Sequence, residues 1–218
     1  MQLVRIYFSK TDNAKFISHL DLVRCFTRAI RRSNLDIWYT EGFNSRPYLL
    51  FALPLSLGIE SIYEVLDIRL NETYDLSLIP ELLNRYLPNG IEVLRCSEAI
   101  LKHSEIGMAQ YTINLFSSLE NFKSVETLLK NRIIEADEIM VEKKSKKGIS
   151  IVDVRSQIRE ISYALCDSTL QINATLDAGV SKNLNPIIIV NLIVENCNID
   201  FDYSITRSSI ITKDNNEF

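Results

Sequence analysis

The stretch Phe16 to Ser33, FISHLDLVRCFTRAIRRS, places four arginines, one aspartate and one of the chain's two histidines within eighteen positions. Guanidiniums stay charged and present a fork of donors that matches phosphate or carboxylate oxygens. At about 100° per residue, Arg24, Arg28, Arg31 and Arg32 fall within roughly a quarter-turn of a helix. Asp21 lies three residues before Arg24 and can pair with it, as charged residues at this spacing do on solvated helix faces. One carboxylate against four guanidiniums still leaves donors suited to an external anion. His19 falls on the Phe26 and Ile30 side, in the first helical turn, where the positive end of the helix disfavours its protonated form. It has two readings. One is a buried, hydrogen-bonded structural histidine; the other is a general base or ligand contact, with Asp21 as orienter and the arginines clamping an anionic substrate. Residues two apart on a helix point to different sides, which weighs against the second.

The next segment, GFNSRPYLLFALPLSLGIES, adds a loop built for recognition. Gly42 and Asn44 tolerate positive φ, Pro47 fixes the chain direction, and Arg46 brings a further donor between the aromatic Phe43 and Tyr48. Pro54, Gly58, Glu60 and Ser61 shape a second turn in an apolar strand, which can leave backbone N–H groups free for a ligand or partner. A lysine run, KKSKKG, with Lys143, Lys144, Lys146, Lys147 and Gly148, reads as a hairpin tip. Lysines there solubilise an exposed turn, and any binding they add would be salt-sensitive attraction to nucleic acid without sequence readout.

Other chemistries lose their footing. There is no phosphate-cradling glycine loop, no G-x-S-x-G, no H-E-x-x-H and no paired Cys/His metal spacing. The four cysteines, Cys25, Cys96, Cys166 and Cys197, have no ligand-like spacing and read as small buried apolar residues. No apolar run approaches the eighteen or so residues of a membrane span, and MQLVRIYFSK alternates where a signal peptide would be continuously apolar, so a cytoplasmic location is expected. The net charge of −4 argues against a generic polyanion binder. Residues 1–58, however, hold eight Lys/Arg against four Asp/Glu, so the basic excess gathers around the arginine helix.

These side chains must be positioned by the elements around them. Gln2 to Ser9 alternates as a strand, and the pattern turns helical near His19, with Leu22, Val23, Phe26, Ala29 and Ile30 on one face. Ser18 supplies the N-cap, and Asp21 complements the helix dipole. LDIWYT reads as a short strand, YLLFALPLSLG as extended and YEVLDIRL as a strand. A helix is predicted from about Leu76 to Leu87 and a strand near Ile91 to Cys96. Strand, helix, strand, strand, helix, strand is the split βαβ order. From Gln110 the order recurs: QYTINLFS, the helix LENFKSVETLLKNR, the strand DEIMVEKK, REISYALCDSTLQINATLDA as one long or two short strands, a helix from Pro186 to about Glu195, and DYSITRSSII. The expected fold is α+β, two tandem ferredoxin-like domains over 1–104 and 105–218, with antiparallel sheets and helices on one face.

From Phe16 to Ser61 the sequence resembles a bacterial family of radical S-adenosylmethionine-linked proteins that carries a domain of unknown function. The matching positions are Phe16, Ser18, His19, Leu20 and Asp21; Arg24, Arg28 and Arg31; Gly42, Phe43, Asn44 and Pro47; and Ala52, Pro54, Leu55, Gly58, Glu60 and Ser61. IVDVRSQI, from Ile151 to Ile158, resembles a recurring element of the family's second half. Ser45 and Arg46 stand where the family has Pro and His, which removes a loop histidine and adds positive charge. The resemblance implies association with a radical S-adenosylmethionine enzyme as partner. S-adenosylmethionine and the iron-sulfur cluster are expected in that partner, since no three-cysteine cluster motif occurs here, and this chain is expected to bind no cofactor or metal of its own. The leading expectation is a non-catalytic accessory subunit that holds a partner enzyme or its RNA substrate on the arginine helix and adjoining loop. An enzyme using His19 and a purely structural interaction module are the alternatives.

Overall fold

The computed structural model describes residues 1–145, 148–166, 168–180, 182–197 and 199–218, with the backbone alone at residues 143–145 and 149. The chain divides into two compact units, one of residues 1–105 with 207–210 and 217–218, the other of residues 106–206 with 211–216.

In the first unit, β1 (Gln2–Lys10), β3 (Glu60–Leu70) and β4 (Ile91–Glu98) form an antiparallel sheet with β1 central, and the short β2 (Leu49–Phe51) pairs with β3. The resulting order is β4-β1-β3-β2. Strand alternation sends Val4, Ile6 and Phe8 of β1 and Leu66, Ile68 and Leu70 of β3 to one face. Helices α1 (His19–Arg32) and α2 (Ile79–Asn84) cover that face with Leu22, Phe26, Ala29, Ile30, Ile79 and Leu83. Phe26 and Ile30 are fully buried, contributing roughly 1.5–3 kcal/mol apiece. Phe8 meets Phe26 edge-on at 4.8 Å.

The second unit repeats the plan. β5 (Ile106–Phe116), β8 (Ile158–Cys166) and β9 (Thr169–Asp177) pair antiparallel with β9 between the other two. β10 (Asp202–Thr212), of which residues 202–206 and 211–212 belong to this unit, flanks β5, giving β10-β5-β9-β8. Helices α3 (Leu119–Leu128) and α4 (Ile187–Asn196) touch, and α3 runs on into one π-helical turn over 129–134. A separate hairpin, β6 (Met140–Ser145) with β7 (Gly148–Asp153), is inserted after that turn. Both units therefore have the split βαβ strand order, and the fold is α+β with tandem ferredoxin-like halves.

Several elements differ from expectation. LDIWYT makes only two isolated bridges, Ile37 to Leu70 and Tyr39 to Pro47, because residues 36–39 cross the end of β3 and then turn away. The 159–178 stretch takes the second of its two expected forms, two strands, β8 and β9. Lys146 and Lys147 of the lysine-rich turn lie outside the described residues. IVDVRSQI is a clamp: Arg155 donates to the carbonyls of Ala136 (2.9 Å), Ile158 (3.2 Å) and Ile134 (3.3 Å), while Asp153 accepts from the backbone of Ile139 and Arg155. The cysteines are free thiols, but only Cys197 is buried; Cys25 and Cys96 are half-buried, and Cys166 is exposed at the end of the edge strand β8, where Ala164 and Leu165 are exposed too. Among the described residues no helix is long and apolar enough to cross a membrane.

Candidate nucleic-acid and partner interface

Helix α1 begins where the sequence places its cap. Ser18 Oγ accepts from Asp21 N at 3.2 Å and donates to Asp21 Oδ2 at 2.7 Å. Asp21 Oδ1 accepts from Arg24 at 2.8 Å, and the Ser18 and Arg24 bonds hold the exposed Asp21 carboxyl below its usual range. Arg24 is therefore already matched. Arg31 Nε donates to Tyr39 Oη at 3.0 Å, with its guanidinium 5.9 Å from the ring centre. Arg28 and Arg32 are exposed and, among the described residues, make no hydrogen bond or ion pair; Arg28 adds a longer-range pull on Asp21 and Cys25. His19 corrects an expectation, because it is exposed and its ring meets Phe51 edge-on at 5.1 Å, with no hydrogen bond among the described residues. The wheel phase holds, since Phe51 itself packs on Phe26, but the first turn overhangs the edge of the core. Asp21 faces Ser18 and Arg24, so it does not orient His19.

Residues 38–48 fold back as a narrow hairpin. Tyr48 N bonds Trp38 O at 3.0 Å, Thr40 N bonds Arg46 O at 2.8 Å, and Arg46 N bonds Thr40 Oγ1 at 3.0 Å. Gly42, at φ +114°, turns the tip, a conformation that side-chain-bearing residues rarely adopt. The tip carries Phe43 fully exposed beside exposed Asn44 and Arg46, with Pro47 half-buried at the base. The Arg46 guanidinium makes no hydrogen bond or ion pair among the described residues. The Arg31–Tyr39 bond fastens this hairpin to the arginine helix. Behind it, Arg69 lies 4.8 Å from the Trp38 ring and 4.7 Å from the Tyr48 ring. Sequence reasoning missed Arg69, although alternation along YEVLDIRL puts it on the face away from the helices.

The 52–61 segment is tied down more firmly than expected. Gly58 N donates to Lys15 O at 3.0 Å, Ile59 N to Ser56 O at 3.3 Å and Ala52 N to Val65 O at 3.0 Å, so these N–H groups are satisfied internally. Gly58 adopts φ +82°. Glu60 pairs with Lys15 at 2.9 Å, and Ser61, wholly buried, donates to Arg207 O at 3.3 Å. These residues support the surface, while Pro54 stays exposed. Beneath them sits a buried charge cluster: Arg207 donates to Glu64 through Nε (3.0 Å) and Nη2, and to Leu53 O at 2.7 Å. Lys10, 1% exposed, donates to Ile17 O at 2.8 Å; burial and the nearby Arg207 push its pKa down against the pull of Glu64.

Two further features escaped the sequence reading. Phe16, Leu20 and Leu57 are 62, 59 and 65% exposed; Phe16 and Leu57 each neighbour a residue of the Gly58–Lys15 bond, and Leu20 lies in the first turn of α1. His103 lies 2.8 Å from Asp67, and Asp67 also takes a two-pronged bond from Arg5, both arms at 2.9 Å. The sequence signal was the register: Arg5 and Asp67 are directly opposed on β1 and β3. The ring of Phe218 lies 4.0 Å from the Arg5 guanidinium and closes over this group.

A model of the family of uncharacterised proteins conserved in bacteria, DUF2344, matches residues 4–186. A search of curated proteins finds no match. Among solved structures, a chain from the "Crystal Structure of a Cbf5-Nop10-Gar1 Complex" superposes with TM-score 0.54 at 8% identity, over 95% of this chain and 48% of that one. The protein thus spans about half the length of that chain, and the likeness is one of fold. A chain from the "Crystal Structure of an Unknown Protein from Galdieria sulphuraria" is 11% identical over 94% of this chain and 98% of that one, with TM-score 0.28, a likeness too slight to support any conclusion about this protein.

Proposed function

The chain belongs to the DUF2344 family of uncharacterised proteins conserved in bacteria, and from that premise we propose that it is a cytoplasmic, non-catalytic accessory subunit that holds single-stranded RNA on its arginine helix and hairpin for a partner enzyme. The observation that carries this reading is the set Arg28, Arg32 and Arg46, exposed and unmatched among the described residues, on a surface that also presents Phe43. Guanidiniums of this kind take phosphate oxygens, and an exposed ring offers a stacking platform that tolerates any base. The partner is a radical S-adenosylmethionine enzyme, as the resemblance of residues 16–61 implies, with S-adenosylmethionine and the iron-sulfur cluster residing there. The exposed side chains of Phe16, Leu20 and Leu57 suit protein docking beside the basic surface.

The test is fluorescence anisotropy of a labelled oligouridylate with the full chain across a salt series. Each phosphate contact to a single strand contributes about 0.7 to the slope of log affinity against log salt, so three contacts give a slope near −2, about a 20-fold loss between ~50 and ~200 mM salt. Arg28→Ala, Arg32→Ala and Arg46→Ala together should flatten that slope, whereas Arg24→Ala should barely change it because Asp21 already holds Arg24. A triple variant that keeps both affinity and slope would sink the reading.

A further inference from the structure

The second unit contains a cleft of about 800 Å³ lined by residues of β5, β8 and β9 and by Lys182, Lys213 and Asn215. Asp177, at the end of β9, lines it and is 2% exposed. Its Oδ1 accepts from Arg159 Nε at 2.5 Å. Its Oδ2 has no hydrogen-bond partner, and Lys182 Nζ stands 4.0 Å away, near enough to balance charge and too far to donate. A buried carboxylate oxygen lacking a donor is costly, so the site favours whatever brings one. Arg159, half exposed, commits only Nε to a hydrogen bond, and its two terminal nitrogens make none among the described residues. An unfilled acceptor and unfilled donors thus lie on the same ion pair.

We infer that this cleft binds a small zwitterion of the amino-acid type. The ligand's ammonium takes the place of the Lys182 charge beside Asp177 Oδ2 and donates the hydrogen bond that this oxygen lacks, and its carboxylate takes the terminal nitrogens of Arg159. Met108 and Ile211, also in the lining, offer an apolar wall for the ligand's side chain. The mixed signs of the lining explain the choice of ligand. Glu160 at the same cleft disfavours a polyanion, and among the described residues no three His, Cys, Asp or Glu side chains come together to hold a metal ion. This inference concerns the second unit and stands or falls separately from the RNA reading.

The experiment is isothermal titration of the full chain with free amino acids, apolar and polar, alongside their N-acetylated and C-amidated forms. The expected result is saturable binding of apolar free amino acids, weakened about tenfold or more by blocking either end, since each end makes a charge-assisted bond. Asp177→Asn should weaken binding through the ammonium end, and Arg159→Lys through the carboxylate end, in variants whose melting matches the parent. Absence of binding by every free amino acid at millimolar concentration overturns the inference, and so does equal binding of the blocked forms. The blocked ligands act on the unaltered protein, so they decide the matter even where Asp177→Asn does not fold.

Discussion

Replacing Glu64 probes how the buried charges hold the binding surface in place. Glu64 and Arg207 are 3% and 1% exposed. Both arginine nitrogens that reach Glu64, Nε and Nη2, land on the same oxygen, Oε1, and Nη2 also holds Leu53 O at 2.7 Å. Glu64→Ala strips Arg207 of its carboxylate and leaves Lys10 without the one acid that raises its pKa. Removing one partner of a buried pair costs about 3–5 kcal/mol. Glu64→Gln retains an Oε1 that can accept both bonds but removes the charge, and neutral acceptors bond roughly half as strongly, so about half that loss is expected. Trp38 is the chain's one tryptophan and lies in the first unit, so urea unfolding followed by its fluorescence reports the right transition. Hydrogen exchange at Gly58 and Ile59 should accelerate in parallel, because the Leu53 anchor is released. A Glu64→Ala loss below about 1 kcal/mol, or a Gln variant as damaged as the Ala one, would refute the reasoning.

Two other perturbations exploit the same geometry. Burial alone would raise the Asp67 carboxyl, but bonds from Arg5 and His103 bring it below its ordinary value. A depressed folded pKa contributes stability that is present above the unfolded value of about 3.9 and is lost as pH falls through the lower folded value. Asp67→Asn should therefore be less stable at neutral pH and lose less on acidification than the parent; parallel acid-unfolding curves would count against this. Ser18→Ala removes the α1 cap on Asp21 N and should cost about 1 kcal/mol in the Trp38 fluorescence transition, with no change if the cap is idle.

The fold was legible wherever one period dominated. Leu22, Phe26, Ala29 and Ile30 recur at helical spacing, and all four are buried in α1. Val4, Ile6 and Phe8 alternate, and all three line the core. LDIWYT has strand composition too, yet its partner, the end of β3, runs out after the single bridge from Ile37 to Leu70, and composition does not encode where a neighbour ends. The same limit governed the site. The cap at Ser18 and the pairing of Asp21 with Arg24 are local and were readable at a spacing of three. The exposure of His19 depends on how far Phe51 extends beneath the first turn, and the satisfaction of Gly58 N depends on Lys15 O across the fold. His103 became meaningful only once Arg5 and Asp67 stood opposite each other.

That distinction changes what the basic excess of the first 58 residues means. Of its eight cationic side chains, five are already engaged within the first unit: Arg5 with Asp67, Lys10 with Ile17 O, Lys15 with Glu60, Arg24 with Asp21 and Arg31 with Tyr39. Eight less five leaves Arg28, Arg32 and Arg46 without an internal partner among the described residues, and these are the first to exchange counterions for phosphate. A formal count would predict a salt slope set by all eight, near −5 or −6, whereas the matched geometry predicts one near −2. The slope therefore measures how many guanidiniums the fold has left unmatched. A steep value would mean that RNA breaks the Arg24–Asp21 and Arg31–Tyr39 bonds to recruit further donors, and Arg24→Ala would then weaken binding as much as Arg28→Ala.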